Sequence, residues 1–423
     1  MKVCVIGGGS TYTPELIDGL IRRRERLDLH EIHLVDVDAR RLAILGPFAQ
    51  RMCEQAGVEV EWGTNRRAGI AGSDFVVSQM RIGGMAARER DEQLGREFGL
   101  VGQETVGVGG FANALRTIPV ALEIAADIER VAPDAALLNF TNPAGLVTEA
   151  LCRHTDVATI GLCNVPWTMR ATIAKSLGVD VVDVEMDYVG LNHLSWVRGV
   201  TVCGVDRTAE VMEGVRRRVA ARVEADGEPD WTAEAIDVLD AIPNSYLRYY
   251  YETAAWVRYQ ASHPTRASEV MAIEDALLAS YADPLLAEKP VELEQRGGAY
   301  YSEAAAALMA DIASDADTVH VINTPNRGAI ADLPGDVVVE VAARIDASRV
   351  EPIDVGELRS DVDALIRTVK DFELLTVQAA VDGDEEAAIR ALITNPLGPP
   401  ISGAAAVWAR LKTVNEGWLG KLG

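Results

Sequence analysis

A thiol, an imidazole and several side-chain amides stand where apolar stretches of this chain end. Cys163 and Asn164 close the run that leads into IGLCNVP, Asn192 and His193 lie in YVGLNHLSW, and Asn139 and Asn142 terminate the run ending NFTNP. Arg88 and Arg90 follow shortly after Arg81 and another apolar run. Singly, each has an ordinary explanation: Asn before Pro forms turns, an Arg/Glu-rich helix is a solvated face, and a lone His or Cys among apolar neighbours is a core residue. Together they offer chemistry. A thiolate and an imidazole are a borderline-soft pair that can hold a divalent transition metal, and with only two protein ligands in sight, positions are left for substrate oxygens.

Such residues need elements to bring them together. The first 165 residues alternate apolar runs (Lys2–Ile6, Glu31–Val35, 75–79, 136–140, 158–163) with helical periodicity. That order predicts a Rossmann-type doubly wound parallel sheet, the architecture of lactate/malate-type dehydrogenases. In such a sheet ligands lie beyond the carboxyl ends of the strands, where the polar residues above fall. After about residue 167 the pattern changes to strand pairs over 188–205, helices over 206–278 with a break near 242–243, strands at 319–322 and 337–341, and a helical tail from 355. The expectation is an NAD-binding domain over 1–165 and a mixed α/β, largely helical C-terminal domain over 166–423 for catalysis, substrate contact and oligomerisation.

VCVIGGGSTYTPE places Gly7, Gly8 and Gly9 at the end of the first strand, with Ser10 and Thr11 leading to a helix start marked by Thr13 and Pro14. Glycines there allow a tight turn and let a pyrophosphate approach the helix N-terminus. Tyr12 stands where the usual third glycine would be. The second strand ends HLVDVD, so Asp36 can accept from an adenosine ribose, which favours NAD over NADP; the plain alternative is a solvated Asp at a strand end. Asn139, at a neighbouring strand end, joins these as a cofactor-binding candidate.

Composition excludes several classes. With 48% apolar and 25% charged residues and no apolar run near the roughly 20 residues that span a bilayer, the chain reads as globular and not membrane-embedded. The net charge of -24 argues against nucleic acid and requires that an anionic substrate be small and met by local arginines. Five widely spaced cysteines, with no C-x-x-C pair, argue against a disulfide framework. MKVCVIGGG runs straight into a strand and glycine loop, which predicts a cytoplasmic protein.

Eight motifs, in order along nearly the whole chain, resemble glycoside hydrolase family 4: GGGSTYTPEL (7–16), GQETVGVGG (102–110), NFTNPAG (139–145), GLCNVP (161–166), GLNHLSW (190–196), YLRYYY (246–251), RGGAYYSEAA (296–305) and VINTPNRGAIADLPGDVVVE (321–340). Within the family they look most like those of its 6-phospho-β-glucosidases. The family is an NAD-dependent exception to two-carboxylate glycosidase chemistry. The resemblance implies that NAD+ takes a hydride from C3 of the sugar, a base removes the acidified C2 proton, the aglycone leaves by elimination, water adds, and the hydride returns. A metal, Mn2+ by the resemblance, would stabilise the enediolate.

The same resemblance implies roles. Cys163 and His193 hold the metal, and Tyr246, at the start of the YLRYY segment, is the C2 base, although an aromatic helix face in the core would also explain that segment. Asn164 stands where members acting on α-linked sugars usually carry an acid, which favours the β-anomer. Arg88, Asn142 and Arg266 bind the sugar 6-phosphate, guanidinium groups matching phosphate in a forked geometry. GREFGL (95–100) departs from the family pattern close to Arg88. A homodimer or homotetramer is implied. The rival readings are a lactate/malate-type dehydrogenase with net oxidation, another specificity of the family (α-linked or unphosphorylated sugars), and a non-catalytic NAD sensor.

Overall fold

The computed structural model describes residues 1–221, 227–296 and 301–422; within the motif at 296–305, residues 297–300 lie outside that set. Six strands, β1 (Lys2–Ile6), β2 (Glu31–Val35), β3 (Glu59–Gly63), β4 (Phe75–Ser78), β5 (Ala136–Asn139) and β6 (Thr159–Gly161), pair in parallel in the order β3-β2-β1-β4-β5-β6. β1, β2 and β4 are mostly apolar and buried almost end to end, as a sheet covered on both faces demands. The order reverses between β1 and β4, so the crevice for a ligand opens at their carboxyl ends.

The strand pairs expected after residue 188 form a second sheet. β7 (Val184–Leu191) and β8 (Leu194–Val202) are an antiparallel hairpin, and β9 (Val205–Asp206) and β10 (Ile242–Pro243) both pair with β8. The strands expected near 319 and 337 are longer than their apolar cores: β11 (Thr318–Pro325) and β12 (Val338–Ile345) pair antiparallel along their whole length, and β13 (Val350–Pro352) follows on β12.

This ribbon joins the parallel sheet. β11 meets β6 at Asn323 and Gly161, extending the sheet to nine strands built from both halves of the chain. A Cβ on Gly161 would lie 2.2 Å from Thr148 Oγ1 and 2.7 Å from Asn323 Cβ, so only glycine lets the two strand systems meet there. The cores on the two faces mix the halves in the same way: Leu137 and Val147 pack in one cluster with Phe372 and Trp408, and Val5 and Leu34 in another with Leu308 and Ile345. Among the described residues no helix is long and apolar enough to cross a membrane.

Candidate active site at the strand ends

The loop after β1 lies against the end of β2. Gly7 and Gly8 donate their N–H groups to Val35 O, both at 2.9 Å, and Gly9 N–H donates to Asp36 Oδ2 at 2.9 Å. A Cβ on Gly9 would approach that carboxylate oxygen to 2.8 Å, so a side chain there would displace Asp36. Asp36 also accepts from Asp38 N–H at 2.9 Å, which orients it at the strand end. Ser10 Oγ accepts from Tyr12 N–H at 3.2 Å. The buried Thr11 hydroxyl is already committed, donating to Glu274 Oε1 at 3.0 Å, so what Thr11 offers a cofactor is its backbone. Tyr12, in place of the third glycine, is buried in an apolar cluster with Leu45, Phe48 and Tyr281, and Arg296 lies over its ring.

Asn139 is fully buried at the end of β5 with its side chain already engaged, donating to Thr148 Oγ1 at 3.1 Å and accepting from Thr141 N–H at 3.1 Å. It shapes the loop that carries Asn142, whose peptide bond to Pro143 is cis. Asn113, on the helix Gly107–Val131, holds that loop by donating to Asn142 O at 3.1 Å.

Two distant segments bring a thiol and an imidazole together. Cys163 caps the helix Asn164–Leu177, its Sγ accepting from Val165 N–H at 3.5 Å. His193 is at the tip of the β7–β8 hairpin, with a left-handed backbone at φ +63°. Cys163 Sγ and His193 Nε2 are 3.5 Å apart. That matches the separation of a sulfur and a nitrogen on one four-coordinate ion, about 3.5 Å for bonds of about 2.3 and 2.1 Å. Burial lowers the His193 pKa to about 4, so the ring is neutral and able to ligate, and its Nδ1 is buried without a hydrogen-bond partner among the described residues. Burial, reinforced by Glu340, pushes the Cys163 thiol up to about 12, so a cation is what would draw the thiolate out. The donor set fits a divalent transition metal.

Tyr246 stacks on the His193 ring, centroids 3.9 Å apart and planes 11° from parallel. It stands at the N-cap of the short helix Leu247–Tyr251, and Tyr249 meets its ring at 5.9 Å in an edge contact. Burial raises its phenol well above the ordinary range, helped by Tyr249, Cys163 and Glu104 and opposed by Arg88. Asn164 is next to Cys163, its Oδ1 4.0 Å from Sγ.

Sequence reasoning missed Glu104. It is buried and clamped by Arg81 and by Arg88 Nη1, the latter at 3.1 Å. Burial works to raise its pKa, but the arginines hold it below the ordinary value, so it is an ionised carboxylate acting on both His193 and Tyr246. The available signal was an acid inside the glycine-rich GQETVGVGG, where it is the single charged residue. Arg88 is correspondingly engaged, pairing also with Glu92 at 2.8 Å. Arg266 is on the surface, paired with Glu269 at 2.8 Å and donating to backbone carbonyls of Gln295 and Arg296; no direct contact joins it to Arg88 or Asn142 among the described residues.

The profile described as "Family 4 glycosyl hydrolase" matches residues 2–179, and that of the "Family 4 glycosyl hydrolase C-terminal domain" matches 188–398. The chain is 40% identical to a probable 6-phospho-β-glucosidase of Bacillus subtilis, over 99% of this chain and 97% of that protein. It superposes with a TM-score of 0.93 and 35% identity, covering 99% of both chains, on the 6-phospho-β-glucosidase of Thermotoga maritima solved with manganese, NAD+ and glucose-6-phosphate. A malate dehydrogenase of Cryptosporidium parvum shares the fold alone, at a TM-score of 0.54 and 15% identity over 91% of this chain and 99% of that one.

Proposed function

The chain belongs to the family 4 glycosyl hydrolases, and from that premise we propose that it hydrolyses 6-phospho-β-glucosides with NAD+ and a divalent metal, Mn2+, as cofactors. The observation that supports this best is the convergence of Cys163, His193 and Tyr246, from three separate segments, at the carboxyl end of a nucleotide-binding sheet. When bound, NAD+ supplies a hydride acceptor and the metal supplies Lewis acidity beside the sugar hydroxyls.

The chain's own residues do the rest. Cys163 and His193 hold the cation, and the crevice beside Gly9 and Asp36 takes the adenosine end of the dinucleotide. Tyr246 receives the sugar's C2 proton: its burial opposes the phenolate, which Arg88 favours and which a cation bound by the neighbouring His193 would favour further. Glu104 stays charged and balances Arg81 and Arg88. Asn164, an amide, cannot protonate a leaving group, which suits a β-linked substrate. Arg88 and Asn142 face the sugar phosphate, with Arg88 exchanging a carboxylate for it; Arg266 would have to reach that phosphate from the surface. We place the reaction in the cytoplasm, in a homodimer or homotetramer.

A panel of α- and β-linked p-nitrophenyl glucosides, with and without 6-phosphate, tests the reading. Turnover of the phosphorylated β-anomer that needs both NAD+ and Mn2+ is expected. Turnover in protein stripped of nicotinamide, or net NADH formation from a hydroxy acid, would replace it.

A further inference from the structure

We propose that Glu340, which no reading above assigns, is a positioning residue that sets the metal-holding histidine and the base against each other from one buried carboxylate. The inference rests on the function proposed above. Glu340 interrupts an otherwise apolar stretch of β12, is fully buried, and has no lysine or arginine paired with it among the described residues. An isolated buried carboxylate is costly for stability, which makes an apolar residue the cheaper choice if folding were the only demand. Its oxygens are instead filled by three neutral donors: Tyr188 Oη at 2.7 Å, Asn192 Nδ2 at 2.9 Å and Asn323 Nδ2 at 3.1 Å.

Two arms leave this carboxylate. The first is short. Asn192 donates to Glu340, and its Oδ1 accepts from Gly145 N–H at 3.3 Å, which pins the hairpin tip one residue before His193. The second reaches Tyr246. Tyr188 Oη lies 2.6 Å from Ser195 Oγ, Asn244 Nδ2 donates to Ser195 Oγ at 2.9 Å, and Asn244 Oδ1 accepts from Tyr246 N–H at 3.0 Å.

The arm has a direction. Burial works to raise the Glu340 carboxyl, but donors on both of its oxygens favour the ionised form, which only accepts; the single Tyr188 hydroxyl proton is then committed to it, and Tyr188 must accept from Ser195. Ser195 in turn accepts from the Asn244 amide, which leaves Asn244 Oδ1 for Tyr246. Every donor points toward Glu340. An amide at position 340 can donate to Tyr188 and allow the chain to reverse; a reversed chain turns the Asn244 amide around and sets its NH2 against Tyr246 N–H. The two arms meet again in the stack of Tyr246 on His193, so one carboxylate fixes both members of that pair.

Three variants of the NAD+-loaded enzyme separate the arms, read by Mn2+ affinity (electron paramagnetic resonance of free Mn2+) and by loss of deuterium from C2-labelled substrate at saturating Mn2+. Outer residues that orient a metal site change affinity or activity roughly 10–100-fold. Tyr188→Phe should slow C2 exchange by about that factor and leave the Mn2+ Kd within about twofold. Asn192→Ala should raise the Mn2+ Kd by about tenfold or more and move exchange by less than about threefold. Glu340→Gln, nearly isosteric, keeps Oε1 for Asn192 while its NH2 turns to Tyr188, so it should slow exchange as Tyr188→Phe does and leave the Mn2+ Kd within about twofold. Tyr188→Phe and Asn192→Ala shifting both readouts in equal proportion would indicate mere loosening and overturn the proposal. So would a folded Glu340→Gln with exchange unchanged. If Glu340→Gln does not fold, the other two variants decide. Inactive wild-type enzyme would instead count against the function proposed above, whereas active wild type with unsplit variants counts against Glu340 alone.

Discussion

His193 holds a backbone conformation that costs a residue with a Cβ about 1–2 kcal/mol, at a hairpin tip where glycine or asparagine would be relaxed. That cost is compensated by packing on Tyr246 and by placing Nε2 against Cys163. His193→Asn, which the left-handed conformation accommodates, and Cys163→Ser should therefore fold normally by circular dichroism yet lose activation by Mn2+; wild-type manganese activation in both would remove the metal assignment. Tyr246→Phe keeps the stack and removes only the hydroxyl, so release of deuterium from C2 should fall about 100-fold or more, and a wild-type exchange rate would exclude Tyr246 as the base. Cys163, His193 and Tyr246 were legible because each sits in a long motif or at the end of an apolar run. Glu104 and Glu340 were not, since their meaning lies in partners 23 and 148 residues away, Arg81 and Asn192. Asn139 and Thr11 were legible as positions but not as directions: the side chains turn inward, which spacing cannot reveal.

At the scale of elements, sequence periodicity carried the apolar strands well and the polar ones poorly. β3 reads EVEWG, alternates polar and apolar residues over only four positions, is exposed or half-exposed along its length and lies at the sheet edge, so no apolar run marks it. β11 and β12 were legible as strands, but their union with β6 was not, because it is carried by one nonlocal register point. A local tie at the other end of β11 makes a pH prediction. Asp311, on the helix Tyr301–Ala313, accepts from His320 Nε2 at 2.8 Å, Arg26 at 2.7 Å and Thr318 at 3.1 Å. Burial works to raise its pKa, yet these donors hold it at about 2 instead of the ordinary 3.8. A carboxyl depressed on folding stabilises above its unfolded value and loses that contribution as pH falls. Asp311→Asn should thus cost roughly 1 kcal/mol at neutral pH, allowing for solvent screening, with the difference from wild type closing between pH 4 and 2 in urea unfolding. A pH-independent difference would mean that Asp311 acts through packing alone.

At the scale of the whole molecule, the two halves are one folding unit as far as the large sheet is concerned. Both apolar clusters against that sheet draw residues from before 165 and after 300. Residues 1–165 expressed alone should then lack a cooperative thermal transition and expose apolar surface to a hydrophobic dye, and a sharp transition with NAD+ binding would show instead that the nucleotide half is autonomous. The charge of -24 belongs to this scale too. An anionic sugar meets a repelling exterior and finds Arg81 and Arg88 only inside the crevice, where their charge is already counterbalanced by Glu92 and Glu104.

The ribbon laid along β6 has a broader implication. Left uncovered, β6 would be the bare margin of the parallel sheet, with unpaired backbone groups that template another strand. Here that margin is sealed by β11, a piece of the same polypeptide, and the next strand of its ribbon carries a buried acid, Glu340, whose charge acts on the cysteine that follows the margin. Closing the sheet and furnishing the reaction chamber are thereby a single act of construction, and damage to the seam at Gly161 would be felt as lost chemistry before it was felt as lost shape.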